Sequence, residues 1–331
     1  MESAVKRIGV LTSGGDAPGM NAAIRAVVRT AMKNSIECVG IRRGWAGLIA
    51  GDICPMNSGS VSRIINRGGT ILYTARSDEF RTPEGQQKAA NTCKLLGLDG
   101  IVAIGGDGTF RGALALSRQA AEAGLTLQTV GIPATIDNDI GCSHYTIGFD
   151  TACNTAIECI DKLRDTMQSH ERCSVVEVMG RHAGYLALYV GVAVGATAVL
   201  VPEHQYDFEK HVAEKIRAAR LGGKTNFMIV VAEGAASAMD VGKEIKEHLG
   251  LDPRVTILGH IQRGGSPTAK DRVLATRMGY EAVRVLAEGM TNRVICVRDD
   301  QIVNVDIDEG LAMKKTLNAE EFEVMTVMTG V

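Results

Sequence analysis

Short runs of aliphatic and β-branched residues alternate with longer segments of helical periodicity along most of this chain. In the segment 151–168, for example, apolar side chains recur at steps of three and four residues. The runs that predict strands are RIGVLTS, ECVGIR, GIVAIGG, LQTVGI, CSVVEVMG, AVLVP, FMIVVAEG and RVTILG. Continuously apolar strands separated by helices are typical of parallel sheets that are covered on both faces. The sequence therefore predicts an α/β fold of doubly wound, mostly parallel sheets.

Length and composition narrow the class of protein. A chain of 331 residues exceeds what one ordinary core holds, so we expect two lobes. With 45% hydrophobic and 22% charged residues the composition is that of a globular protein. A net charge of −2 gives no field that attracts nucleic acid or an anionic membrane. The first residues lead directly into a strand, without the pattern of a signal peptide, and a cytoplasmic location is expected.

The longest apolar stretch and the spacing of the cysteines argue against a membrane protein and a zinc-binding protein. The longest apolar stretch, 184–202, is interrupted by glycines and alanines, so it predicts a buried helix followed by a buried strand rather than a membrane span. The eight cysteines form no C-x-x-C pair and have no zinc-finger spacing. Free thiols in a reducing compartment are the simplest interpretation.

Four predicted strands end in polar, glycine-rich loops. These loops carry TSGGDAPGMN, IGGDGTF, IPATIDND and VMGRHAG. Ligands of open parallel sheets bind outside the carboxyl ends of the strands. If the four strands share one sheet, the loops lie along one rim and form one site.

Glycine-rich turns in two of these loops suit phosphate binding. Gly14 and Gly15 let backbone N–H groups approach an anion in front of a helix, although a tight turn without a ligand has the same pattern. No GK[ST] follows, so this is not a Walker A loop. In GGDGT, Asp107 stands between glycines and offers the hard oxygen that Mg²⁺ prefers; a solvated turn is the alternative. Arg111 occupies the place of the third glycine of a dinucleotide fingerprint, which disfavours a dehydrogenase.

The loop IPATIDND places Asp137 and Asp139 where a buried strand ends. Both residue types favour turns, because their side chains bond their own backbone. Two close carboxylates also suit a site that holds a metal ion or accepts a proton. Residue types suited to phosphate or sugar recur in the other loops, at Arg76, Arg181, Glu233, Arg254, His260 and Arg263. Arg164 and Arg172 lie near helix ends, where they can instead pair with neighbouring acids.

Together these features indicate phosphoryl transfer, which depends on electrostatic clamping and positioning more than on covalent help. The motifs GVLTSGGDAPGMNAAIR, INRGGTILYTAR, IGGDGT, TIDNDI, YTIGFDTACNTAIECIDKLRDT, VVEVMGRHAG and LGHIQRGGSP resemble those of the bacterial-type ATP-dependent 6-phosphofructokinases. The resemblance spans about residues 6–300 in unbroken order. GGDGT alone is less specific, because NAD kinases and diacylglycerol kinases share it.

The resemblance implies an architecture and an activity. It implies a larger ATP-binding lobe, residues 1–139 plus about 254–307, a smaller sugar-phosphate-binding lobe, 140–253, and a C-terminal segment that crosses between them. It also implies a glycolytic kinase that phosphorylates the 1-hydroxyl of fructose 6-phosphate with MgATP. The enzyme would be a homotetramer with active sites shared between subunits.

The resemblance also implies residue roles. Asp137 would be the general base, supported by Thr135 and Asp139, while Arg76 and Arg181 would stabilise the phosphoryl group in flight. Asp107 would hold Mg²⁺. The residues implied for ATP are Gly15, Arg76, Ser77, Gly106, Asp107, Gly108 and Thr109. Those implied for the sugar phosphate are Thr135, Ile136, Asp137, Met179, Gly180, Arg181, Glu233, His260, Ile261, Gln262 and Arg263, with Arg172 and Arg254 reaching it from the neighbouring subunit.

Two positions bear on the phosphoryl donor. Pyrophosphate-dependent relatives carry an aspartate where this chain has Gly108 and a lysine where it has Ala134. Gly108 therefore indicates ATP. Ala134 departs from the glycine usual in ATP-dependent members but lacks the cation of the pyrophosphate enzymes, so we interpret it as compatible with ATP.

Other departures concern regulation by ADP or phosphoenolpyruvate at an effector site. Residues that match this site are Arg25, Arg29, Arg164, Gly195 and Lys224. Thr197 replaces the usual acid, and Thr225 and Asn226 replace two bases, so we expect blunted activation by ADP and altered inhibition by phosphoenolpyruvate. Tyr185 replaces an aspartate, with an effect that the sequence leaves open.

Three alternatives remain at this point. A pyrophosphate-dependent phosphofructokinase differs only in its donor. A lipid or NAD kinase explains GGDGT but neither TIDND nor MGRHAG. A non-catalytic nucleotide sensor would be favoured if Asp107 or Asp137 were missing, and both are present.

Overall fold

The computed structural model describes residues 5–329 and divides them into two compact units. The first unit contains the chain up to Thr135, Ile140–Asp150 and Arg263–Lys315; the second contains Ile136–Asp139, Thr151–Gln262 and the chain from Thr316 on. Relative to the predicted lobes, residues 140–150 fall in the first unit, and residues 136–139 and 254–262 fall in the second. The assignment of ATP to one lobe and sugar phosphate to the other stays a prediction.

The secondary structure alternates between strands and helices. The strands are β1 (Arg7–Thr12), β2 (Glu37–Ile41), β3 (Ile53–Met56), β4 (Gly100–Gly105), β5 (Gln128–Pro133), β6 (Cys173–Val178), β7 (Ala198–Leu200), β8 (Phe227–Ala232), β9 (Arg254–Ile257), β10 (Arg293–Arg298) and β11 (Gln301–Asp306). The helices are α1 (Met20–Lys33), α2 (Gly44–Ala50), α3 (Pro83–Leu95), α4 (Asp107–Glu122), α5 (Phe149–Ser169), α6 (Tyr185–Ala193), α7 (Glu214–Leu221), α8 (Ala238–Leu249), α9 (Ala269–Ala287), α10 (Ile307–Ala312) and α11 (Ala319–Thr329).

Each unit is built around one sheet. The first has seven strands in the order β11-β10-β5-β4-β1-β2-β3, and the second has four in the order β7-β8-β6-β9. Among the strands of residues 5–329, only the edge pairs β2–β3 and β10–β11 are antiparallel. The β10–β11 hairpin turns at Asp299 and Asp300, whose φ angles of 47° and 60° are those of a tight primed turn. The predicted fold of mostly parallel α/β sheets is confirmed.

The predicted strands form because both of their faces are covered. Every residue of β4 and β8 is buried, as expected for central strands between two layers of helices. The apolar stretch 184–202 forms α6 and β7, so the prediction of a buried helix followed by a buried strand is confirmed. Among residues 5–329, no helix combines the length and apolar character that a membrane span requires. All eight cysteines are free thiols.

The side chain of Phe110 anchors α4 to the sheet of the first unit. It is 1% exposed, and a Cβ atom on Gly131 of β5 would lie only 2.6 Å from its ring. We expect Phe110→Ala to lower the free energy of unfolding by roughly 3–5 kcal/mol, because it leaves a cavity that the close-packed strand cannot fill. Urea denaturation would measure this loss. Leu95→Ala, at a side chain that is 87% exposed, is the control and should change stability by less than about 0.5 kcal/mol; equal losses would contradict the packing assignment.

Candidate active site

Three neighbouring strands of the seven-stranded sheet, β5, β4 and β1, end at the same edge. Backbone hydrogen bonds join the loops that follow them: Ser13 N donates to Ile104 O at 3.0 Å, and Ala134 N donates to Gly105 O at 2.9 Å. The loops TSGGDAPGMN and GGDGT and the start of ATIDND therefore meet along one edge, as the sequence predicted for three of its four loops.

The GGDGT loop is packed against the protein at Gly105 and Thr109 and is open at Gly108. Thr109 is buried, and its Oγ1 donates to Ser13 O at 3.0 Å. A Cβ atom on Gly105 would lie 2.3 Å from Thr109 Oγ1, so only glycine allows this contact. A Cβ atom on Gly108, by contrast, would have no atom within 4 Å. The α4 helix begins at Asp107, which puts this half-buried residue in its first turn.

The segment 70–77 is tied to the end of β1. Thr12 Oγ1 donates to Tyr73 O at 2.9 Å, and Thr74 Oγ1 donates to Gly14 O at 2.7 Å. This places the exposed Arg76 just beyond the first glycine loop, while Ser77 Oγ accepts from Phe80 N at 3.2 Å. The backbone that leads to Arg76 and Ser77, the residues of this segment predicted to bind the nucleotide, is therefore held in place by hydrogen bonds.

Asn21 is an anchor that sequence reasoning missed. Its side chain is 1% exposed, its Nδ2 donates to Arg67 O and Gly68 O at 3.1 Å, and its Oδ1 accepts from Ile71 N at 2.8 Å. A buried amide needs such partners, and a polar residue on the buried face of the apolar α1 was the available signal.

Arg263 lies beside the first glycine loop. Its Nη1 donates to Asp16 O at 3.2 Å, and a Cβ atom on Gly15 would approach that nitrogen to 2.7 Å. The first unit thus assembles, of the predicted site residues, Gly15, Arg76, Ser77, Gly106, Asp107, Gly108, Thr109, Thr135 and Arg263.

The fourth loop, VMGRHAG, follows β6, which belongs to the four-stranded sheet of the second unit. The expectation that all four loops lie along the rim of one sheet is therefore wrong for this loop. Whether a strand joins one sheet or the other depends on long-range pairing, and β6 pairs with β8 and β9.

Two acceptors hold the backbone of this loop. Arg181 N donates to Glu233 Oε1 at 2.8 Å, and Met179 N donates to Oε1 of Gln262, which is fully buried. Gly180 and Arg181 have φ angles of 139° and 56°. A non-glycine residue in this region costs about 1–3 kcal/mol and persists only where its surroundings impose it, which is typical of functional loops. The Arg181 side chain is exposed.

The two aspartates of TIDND differ in environment. Asp137 is 6% exposed, whereas Asp139 is exposed. Asn138, between them, is buried and has a φ of 52°. The chain passes from the first unit to the second between Thr135 and Ile136. Asp137 is thus the carboxylate that is withdrawn from bulk water.

Tyr185, which stands where relatives of the resembled family have an aspartate, is a neutral phenol. Burial, with the nearby carboxylates of Glu203, Asp139 and Glu321, raises the pKa of Tyr185 to about 12. Glu203 Oε1 also accepts from Gly184 N at 2.8 Å. Tyr185 therefore adds no charge to a region that already holds several carboxylates.

The remaining predicted residues lie in the second unit or on α1. Arg254 is exposed on the edge strand β9 and lies 3.5 Å from Asp252, Arg172 is half-buried, and His260 and Ile261 are exposed on the single turn Gly259–Arg263. Of the predicted effector residues, Arg25 and Arg29 lie on α1, Gly195 turns after α6, and Lys224 is exposed before β8. Arg164 Nη2 donates to Val194 O.

The topology and the loops define a doubly wound α/β protein with glycine-rich turns at the carboxyl ends of its strands. The profile of the phosphofructokinase family matches residues 7–286. The chain is 51% identical over 325 residues, 98% of its length and 100% of the relative, to an ATP-dependent 6-phosphofructokinase of Clostridium botulinum (strain Loch Maree / Type A3). It is 53% identical, again over 98% of its length and 100% of the relative, to an ATP-dependent 6-phosphofructokinase of Clostridium acetobutylicum. The chain belongs to the phosphofructokinase family, as its motifs predicted.

Solved structures support the same fold. Phosphofructokinase from Saccharomyces cerevisiae superposes with a TM-score of 0.86 at 36% identity over 98% of this chain, which spans 48% of that chain. A pyrophosphate-dependent phosphofructokinase from Marinobacter aquaeolei gives a TM-score of 0.84 at 21% identity over 99% of this chain and 92% of that chain. At that identity the likeness concerns the fold alone.

Proposed function

We propose that this chain transfers the γ-phosphoryl group of MgATP to the 1-hydroxyl of fructose 6-phosphate, giving fructose 1,6-bisphosphate and ADP in cytoplasmic glycolysis. The observation that carries the proposal is the edge where the loops of β1, β4 and β5 meet, with exposed glycines and Asp107 at the start of α4. Such an edge offers backbone N–H groups and a helix N-terminus to phosphates.

Asp107 fits the magnesium ion that this activity requires. Its half-buried carboxylate is flanked by Gly106 and Gly108, and the open space at Gly108 leaves room for phosphates and water. Mg²⁺ usually takes one or two carboxylates and fills its remaining positions with water and substrate phosphates. When bound, the ion neutralises charge on the transferred phosphoryl group.

In the proposed reaction the chain positions both substrates and moves one proton. Asp137 accepts the proton of the sugar 1-hydroxyl, and Thr135 and Asp139 support it. Arg76 and Arg181 stabilise the charge of the phosphoryl group during transfer. Such groups act by position and electrostatics, which supply most of the catalysis in phosphoryl transfer.

The sugar phosphate is assigned to the MGRHAG loop and the turn that follows β9. Met179, Gly180, Arg181, Glu233, His260, Ile261 and Arg263 are the proposed contacts, with Arg172 and Arg254 supplied by a neighbouring subunit of a homotetramer. Gln262 is 0% exposed and bonds Met179 N, which supports a role in positioning the loop rather than in direct contact.

Glu233 provides a test of this loop. Glu233→Ala removes the acceptor of Arg181 N, and we expect the KM for fructose 6-phosphate to rise about tenfold or more, since a charge-assisted hydrogen bond contributes about 1.5–3 kcal/mol. Glu233→Gln keeps an oxygen at the same distance along the side chain and is the matched control. Steady-state kinetics should show the larger rise for the alanine variant; equal KM values for both variants would contradict the positioning role.

The surroundings of two residues support ATP over pyrophosphate. Gly108 is exposed, so the space that an aspartate would fill is open to a nucleotide. Ala134 is 1% exposed, and its methyl group therefore does not project into that space. This accounts for how an alanine replaces the usual glycine without interfering with ATP.

The surroundings of the effector residues support weak control by ADP or phosphoenolpyruvate. Thr197 is 5% exposed, and its Oγ1 accepts from Met228 N at 3.2 Å. A residue bonded to the neighbouring strand in this way does not replace the charge of the usual acid. Arg164 donates to Val194 O, which engages part of the guanidinium.

Steady-state kinetics with ATP, GTP and pyrophosphate, each with and without ADP, test the proposal. We expect turnover of fructose 6-phosphate with ATP, none with pyrophosphate, and little change on adding ADP. Faster turnover with pyrophosphate would establish the pyrophosphate-dependent alternative. Tight nucleotide binding without turnover for any donor would establish a nucleotide sensor, and strong activation by ADP would overturn the account of the effector site.

A further inference from the structure

A pocket lies within the second unit, at the carboxyl ends of β7 and β8. The enclosed part of the pocket has a volume of about 20 Å³, and its mouth is open to solvent. It is lined by Val199, Leu200, Val201, His204, Tyr206, His211, Lys215, Ala235 and Phe322. None of these is a residue assigned above to ATP, the sugar phosphate or the effectors. The carboxyl ends of parallel strands are the usual place for ligands in such sheets.

Lys215 brings an uncompensated cation into this pocket. Its side chain is half-buried, and no described residue forms a hydrogen bond or ion pair with its ammonium group. Burial lowers the pKa of Lys215, and no neighbouring acid opposes that shift. A partly desolvated charge without a partner is unfavourable, and an anion in the pocket would relieve it.

His211 lines the pocket one helical turn before Lys215. Residues four apart on a helix lie on the same face, so both side chains can reach one ligand. His211 belongs to a single π-helical turn, Glu209–Ala213, of the kind that recurs at functional sites. Its Nδ1 accepts from Asp207 N at 3.2 Å, which leaves the proton of the neutral ring on Nε2 as a donor.

Three carboxylates of neighbouring residues have partners of their own. Glu244 accepts from Tyr206 Oη, Asp207 Oδ1 accepts from Lys210 N at 3.1 Å, and Glu209 pairs with Arg217. The rings of His204 and Phe322, which also line the pocket, lie 4.5 Å apart. The pocket therefore combines donors, one unpaired cation and apolar lining residues.

We propose that this pocket is a binding site for a small phosphate-type oxyanion, held by Lys215 Nζ and His211 Nε2. Inorganic phosphate and a small phosphate monoester share this chemistry. The proposal rests on the second unit alone and is independent of the phosphofructokinase reaction.

Chemical labelling of the wild-type protein tests the proposal at the residue itself. Lysines are acetylated with a limiting amine-reactive reagent, and the rate at Lys215 is followed by mass spectrometry. We expect saturating inorganic phosphate, compared with chloride at equal ionic strength, to slow labelling of Lys215 at least about fivefold. Lys210 lies five residues before Lys215, is exposed and does not line the pocket, so its rate should not change. Equal rates at Lys215 with and without phosphate, or equal slowing at both lysines, would overturn the proposal.

A variant and a second anion sharpen the test. His211→Leu removes the second donor but keeps Lys215 as the reporter, and protection by phosphate should fall severalfold; Lys210→Met is the matched control and should keep it. Full protection in the His211→Leu protein would overturn the assigned donors. Protection by acetate equal to that by phosphate would overturn the phosphate assignment. Because turnover is not measured, failure here is distinguishable from failure of the proposed kinase activity.

Discussion

Replacing Asp137 with serine should lower kcat for phosphorylation of fructose 6-phosphate by roughly 10²–10⁴, the usual contribution of a general base. The KM for fructose 6-phosphate should change little, because Asp137 is proposed to act on the hydroxyl proton and not on the sugar phosphate group. Asp137 is 6% exposed at the point where β5 gives way to the TIDND loop, which withdraws its carboxylate from bulk water. Steady-state kinetics on the purified variant would measure both parameters.

Asp139 supplies the control for this variant. It lies two residues further along the same loop and is exposed, so Asp139→Ser makes the same chemical change next to the proposed base. We expect a smaller loss of kcat than in Asp137→Ser. Near-normal turnover in the Asp137→Ser protein, or a larger loss in the Asp139→Ser protein, would show that the base has been assigned to the wrong residue.

Gly108→Asp should raise the KM for ATP at least about tenfold without lowering stability. The new carboxylate would stand in the first turn of α4, next to the proposed phosphate site, and a penalty of about 1.4 kcal/mol from like-charge repulsion is enough for a tenfold change. Because a Cβ atom at this position has no neighbour within 4 Å, the fold has room for the side chain. An acidic side chain in the first turn of a helix is also stabilised by the positive end of the helix dipole.

Gly108→Ala separates charge from bulk at this position. It adds a methyl group into the same open space, so the KM for ATP should rise much less than in Gly108→Asp. Thermal denaturation should give both variants a Tm close to that of the parent protein. An unchanged KM for ATP in the aspartate variant would mean that the nucleotide phosphates do not lie at the start of α4.

The fold was largely predictable because its strands are apolar on both faces. Runs such as GIVAIGG and FMIVVAEG form strands in which every residue is buried or nearly so. The division into two sheets was not predictable, since the run CSVVEVMG resembles the others and only pairing with β8 and β9 places it in the second sheet. The sequence patterns also did not predict α2, α8, α10, α11 and the strands β3, β10 and β11.

The residues that carry the chemistry of the site were easier to predict from the sequence than the residues that hold them in position. The glycines and Asp107 stand out by residue type, whereas the anchoring role of Asn21 depends on partners 46 to 50 residues away along the chain. Gln262 fits a sugar-phosphate motif, but its fully buried side chain bonds Met179 N. The sequence did not predict the pocket at Lys215, because a histidine and a lysine four residues apart are common on the exposed surface of a helix.

The direct test of the central claim is ³¹P NMR of the purified protein with fructose 6-phosphate, ATP and Mg²⁺. We expect the γ-phosphate resonance of ATP to disappear while ADP and one new phosphomonoester on carbon 1 of the sugar appear in equal amounts. Addition of pyrophosphate in place of ATP should leave the spectrum unchanged. Release of inorganic phosphate without a new sugar phosphate, or phosphorylation that requires pyrophosphate, would contradict the account.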